Sequence, residues 1–174
     1  MPKSTAPAPS SSGSAAAGTA VDTPPEPSLR DVADALFRAA AECCRQHARY
    51  ARLVEHDASE VEQQAACKMA ELADELLQEM ARAYERAAAP AGPDEPWWHR
   101  ANMLLLASRD FLRHQERCDK ATRLTSAKSH SVADLDALTA AYELEASALL
   151  ALQQALDAYR KVRPEAELRS NGRH

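Results

Sequence analysis

At 174 residues and a formal net charge of −5, the chain is long enough for one domain of roughly 140 residues behind a tail. The charge argues against nucleic acid as a partner, because phosphate binding needs a concentrated basic surface. A membrane span needs about 20 consecutive apolar residues, and the longest aliphatic run is Leu104-Leu105-Leu106. The chain is rich in Ala, Leu, Glu and Arg and poor in Gly, aromatic and β-branched residues, a composition that favours helices over sheets.

Residues 1–27 are mostly Ala, Pro, Ser, Thr and Gly. They carry too little apolar surface to offset the entropy of ordering, so a disordered N-terminal tail is expected. The segment has no apolar stretch of the secretory kind. Four cysteines without such a signal point to reduced thiols and a cytoplasmic location.

Helix 1 is expected from Ser28, with a core stripe of Leu29, Ala33, Leu36, Ala40, Cys43, His47, Tyr50 and Val54. Asp34 falls on the opposite, polar side. After a break at residues 56–59, Ser59 and Glu62 have capping-box spacing for helix 2. Its stripe reads Val61, Ala65, Met69, Leu72, Leu76, Met80 and Ala83, ending before Pro90, Gly92 and Pro93. Helix 3 opens at Asp94-Glu95-Pro96, proline suiting a first turn, and carries Trp97, Ala101, Leu104, Ala107, Phe111, His114, Cys118 and Ala121. Helix 4 follows the 126–131 break with Leu135, Leu138, Tyr142, Glu145, Leu149, Leu152, Leu156 and Tyr159, and stops near Pro164. Short connections between long helices favour antiparallel neighbours. The expected fold is thus all-α, an up-down-up-down four-helix bundle over residues 28–164, with a frayed tail at 165–174.

Five stripe positions are not plain apolar residues: Cys43 and His47 on helix 1, His114 and Cys118 on helix 3, and Glu145 on helix 4. A spacing of four puts both members of each Cys/His pair on one helix face. Counted from the helix starts, His47 and His114 each lie about five turns in. In parallel helices their rings would then share a layer, which meets helix 2 near Met69 and helix 4 near Tyr142 to Glu145. Asp110, one turn before His114, is placed to orient its imidazole. This set defines a candidate metal site with His47 and His114 as principal ligands and Cys43, Cys118 and Glu145 as auxiliary ones. His, Cys and carboxylate suit zinc, His and Cys with Met69 suit copper(I), and iron is a further candidate. Two facing histidines would also hold a haem. The plain alternative is a core of small cysteines and neutral, hydrogen-bonded histidines.

Other chemistry is weaker. Glu-x-x-His, which di-iron bundles use on two helices, does not occur. Cys44 and Cys67 lack the oxyanion donors a nucleophile needs, so an enzyme is the least favoured class. Cys67, near Gln64, Glu71 and Asp74, is expected on the polar face of helix 2, its acidic neighbours blunting its reactivity. Glu71, Glu75 and Glu79 form an acidic strip, and Arg109, Arg113 and Arg117 a basic one; both are expected as solvated faces. Trp97 is placed to seal one end of the bundle, and Trp98 to pack on its own loop or anchor a partner. The competing function is therefore an adaptor with a purely structural bundle. It would engage a protein partner or a second copy of the chain through the tail, Trp98 or the charged strips.

Overall fold

A computed structural model describes residues 26–88, 95–126 and 131–163. They form four helices, α1 (Leu29–Glu55), α2 (Glu60–Ala88), α3 (Pro96–Ser126) and α4 (Val132–Val162). The expected tails lie outside the described residues, save for residues 26 and 27, which are exposed and non-helical. No helix among the described residues is long and apolar enough to cross a membrane.

The helix starts follow local chemistry. Ser28 and Asp31 cap α1 reciprocally: the Asp31 amide donates to the Ser28 hydroxyl oxygen at 3.2 Å, and the Ser28 amide to the Asp31 carboxylate at 3.0 Å. Ser131 and Asp134 repeat the device at α4. The expected Ser59–Glu62 pair forms ahead of α2, the Ser59 amide donating to Glu62 at 3.1 Å. Proline opens α3, where its missing amide hydrogen costs nothing. At the end of α1, the Ala58 amide reaches the Leu53 carbonyl and the Asp57 amide that of Val54. This Schellman closure holds Asp57 in the left-handed region at φ 50°.

α1 packs along α2 and α3 along α4, and the two hairpins meet through narrower contacts. Cross-helix polar contacts pair the beginning of α1 with the end of α4 (Asp34–Tyr159) and the end of α2 with the beginning of α3 (Tyr84–Asn102). These pairings are compatible with antiparallel neighbours. The core gathers at that end: Leu36, Leu77, Tyr84, Leu104, Phe111, Leu152 and Tyr159 are almost wholly buried, and Ala33, Ala40 and Ala101 allow close helix approach. Trp97 is buried there as expected, and Trp98 is half-buried against the same core. The opposite end is open. No residue from Val132 to Ser147 is buried, and Val54, Val61, Leu135 and Leu144 are exposed.

The expected core residues Val54 of α1 and Leu135 and Tyr142 of α4 lie at this open end and are exposed. Two faces also differ from the sequence reading. α2 buries Ala66, Ala70, Ala73, Asp74, Leu77, Ala81 and Tyr84, a row rotated by one residue, about 100°, from the expected stripe. Val61, Met69, Leu72 and Leu76 of that stripe are exposed. The alanine row permits the tighter approach to α1 and brings Leu77 and Tyr84 into the core. Asp34, expected in solvent, is 7 % exposed; it accepts from the Tyr159 hydroxyl at 3.0 Å and pairs with Arg163 at 3.3 Å. Tyr159→Phe leaves this buried carboxylate short of a donor. It is expected to cost about 2 kcal/mol in urea unfolding, and an unchanged midpoint would show that the hydroxyl contributes nothing.

Candidate metal centre

Cys43 and His47, one helical turn apart on α1, both face the middle of α2. The rotated face of α2 places Asp74 between them. The Cys43 thiol donates to Asp74 Oδ1 at 3.3 Å. His47 Nε2 lies 2.9 Å from the same oxygen and 3.2 Å from Oδ2. The His47 and Asp74 side chains are only 11 % and 12 % exposed, so their mutual attraction is weakly screened. The edge of one ring meets the face of the other where His47 packs on Phe111 of α3, with centroids 5.1 Å apart. One ligand atom from each of Cys43, His47 and Asp74 lies within 4.8 Å of the others, the only such group of three or more among the described residues.

Electrostatics follow from this packing. Burial opposes a charge on His47, but the hydrogen bond and charge of Asp74, aided by Glu145, outweigh it and hold the imidazole above its ordinary pKa. Burial first, and then Asp74, push the Cys43 thiol far up. Burial raises Cys44 to about 11. These cysteines are thiols unless a cation displaces the proton, which counts against a nucleophile at either position.

A cavity of about 250 Å³ opens beside His47, walled also by Tyr50, Cys67, Cys118, Tyr142 and Glu145. Cys118 is buried, and its thiol is pushed up to about 12 by burial and by the nearby Glu145 carboxylate. Cys67 is half-buried here rather than on a free polar face; burial, then Glu71 and Asp119, raise its pKa. Gln115 also lines the cavity, and its Oε1 is buried without a hydrogen-bond partner among the described residues.

The structure thus brings Cys43 and His47 into one group and puts Cys118 and Glu145 on the cavity wall. His114 joins neither: it is half-buried on α3. Phe111, one turn earlier, holds the level opposite His47, so counting from helix starts misjudged the α3 layer by about one turn. A haem between two imidazoles finds no second imidazole within this group. Asp110 is exposed and pairs with Arg113 at 3.2 Å. Met69 lies on the exposed row of α2. Of the charged strips, Arg109 reaches α2 at Glu85, 2.9 Å away. The residue that sequence reasoning missed as a ligand is Asp74. Its signal was a lone carboxylate within the row Ala66, Ala70, Ala73, Leu77 and Ala81.

Comparison with protein-family models, with curated proteins and with solved structures finds no match to this chain. Fold and site together describe a small all-helical bundle with a sulfur, nitrogen and oxygen donor set at the edge of its packed core.

Proposed function

We propose that the protein binds a divalent transition metal ion of the zinc class through Cys43 Sγ, a ring nitrogen of His47 and an Asp74 carboxylate oxygen. The observation that carries this reading is the convergence of three different donor atoms within 4.8 Å on side chains that solvent hardly reaches. A mixed sulfur, nitrogen and oxygen set suits zinc, whereas magnesium and calcium favour oxygen alone. A thiolate and a carboxylate neutralise a divalent charge, which lets the ion enter a site that water hardly reaches. Binding releases the Cys43 proton and any proton on the His47 ring, so affinity falls as pH falls.

Zinc titration of the purified full chain by calorimetry tests the proposal. One equivalent should bind, with a thermal midpoint raised by several degrees at about a hundredfold excess over Kd. His47→Ala should weaken binding by roughly 100-fold or more, while His114→Ala should leave it intact. A chain that is metal-free on isolation, with a midpoint that zinc does not move, overturns the reading. The exposed α2 row of Val61, Met69, Leu72 and Leu76 supports a second reading, an adaptor whose bundle docks a partner helix or a second copy of the chain.

A further inference from the structure

α2 carries two apolar rows, and the bundle uses only one of them. The alanine row with Leu77 and Tyr84 faces the core. The other row, Ala65, Met69, Leu72, Leu76 and Ala83, lies about 100° further round the helix, and Met69, Leu72 and Leu76 on it are exposed. Its steps of four, three, four and seven residues are those of a coiled-coil seam. A seam of this kind fits the side of another long helix, and the described helices leave it open to solvent.

We propose that the occupant is a second copy of this chain, and that two α2 helices pair antiparallel through the row. The inference rests on the adaptor reading above, which it commits to one partner, and is independent of the metal reading.

The charges along the row select both the occupant and its direction. Glu62 stands at the N-terminal end and Arg86 at the C-terminal end, and both are exposed. An antiparallel copy sets Glu62 against Arg86 of the second copy at each end of the seam, whereas a parallel copy sets like charges together. Among the described residues the cap of α2 uses only Oε2 of Glu62, so Oε1 remains for the guanidinium. The spacing agrees with the charges. With a two-fold axis midway between Leu72 and Leu76, Leu72 meets Leu76 of the second copy and Ala65 meets Ala83 of the second copy. Each layer then occurs twice, as an isologous contact requires. Leucines fill the centre, the alanines let the helix axes close towards the ends, and the helix dipoles oppose one another. The pairing has one repulsive element: Glu75, on the edge of the row beside the axis, comes up against its own copy. Asp74 meets His47 on the other face of α2, so a bound metal should leave the dimer unchanged.

Sedimentation equilibrium of the full chain in EDTA, over a wide range of concentration, tests this. The wild type should show a concentration-dependent dimer. Leu72→Glu should weaken it by roughly 100-fold or more while keeping the circular dichroism spectrum of a folded bundle. Glu75→Gln should tighten it several-fold. Cross-linking reads the direction. In a Cys67→Ser background, chains carrying Ala65→Cys should join to chains carrying Ala83→Cys through a short bismaleimide, and hardly to their own kind. A chain that stays monomeric overturns the proposal and leaves the row to a helix of another protein. A dimer that Leu72→Glu leaves intact, or preferential cross-linking of Ala65→Cys chains to one another, overturns it as well. Because dimerisation is read without metal and zinc binding by calorimetry, either reading can fail while the other stands.

Discussion

Asp74→Ala should abolish zinc binding and also destabilise the metal-free protein by about 3 kcal/mol at mildly acid pH, the usual cost of breaking a buried ion pair. The pH dependence distinguishes this from a simple loss of packing. His47 has a pKa raised above its ordinary 6.5 in the folded state. Its pairing with Asp74 therefore contributes fully below about 6.5, and the contribution is lost as pH rises through the folded value. The stability gap between wild type and Asp74→Ala should be wide at about pH 6 and narrow by about pH 9, where only hydrogen bonds to a neutral ring and a thiol remain. Urea unfolding at both pH values measures it, and a gap independent of pH would mean that His47 is not charged in the fold. Asp74→Asn, which keeps an acceptor but not the charge, should fall between the two.

Leu77→Ala should cost roughly 3 kcal/mol, while Leu76→Ala should cost less than about 1 kcal/mol. The two are adjacent in sequence and chemically identical, but Leu77 is fully buried and Leu76 is 42 % exposed. Denaturant midpoints of the two variants thus report directly on the rotation of α2. The comparison also bears on the metal centre, because Leu77 and Asp74 lie on one face of the helix. A larger loss from Leu76→Ala would return α2 to the stripe of Val61, Leu72 and Leu76, and would carry Asp74 away from His47. Should Leu76→Ala also lower a dimer affinity, the exposed row would be doing the work of an interface.

The legible part of this protein is its helices. The capping spacing of Ser59 and Glu62, the polar breaks at 56–59 and 126–131, and Pro90, Pro93, Pro96 and Pro164 mark where the helices begin and end, within a residue or two. These are interactions between near neighbours along the chain, so the local sequence contains all their terms. The inward faces of α1 and α3 were also legible, because on each helix a single row of large apolar residues stands out. On that basis Cys43 and His47 were placed correctly as inward residues of α1.

The rest depended on contacts between helices. α2 carries two adjacent apolar rows, one of alanines with Leu77 and Tyr84 and one of Leu and Met. Hydrophobicity alone favours the bulkier row; close packing against α1 selected the smaller one. That choice, worth one residue of rotation, brought Asp74 to His47, and a similar offset of about one turn in α3 put Phe111 where His114 was expected. Chain composition and periodicity thus determine four amphipathic helices and a short set of inward polar side chains. Which of those side chains meet was decided only by tertiary packing, because rotation and height are set by the fit of neighbouring surfaces and leave no trace in the periodicity of a single helix.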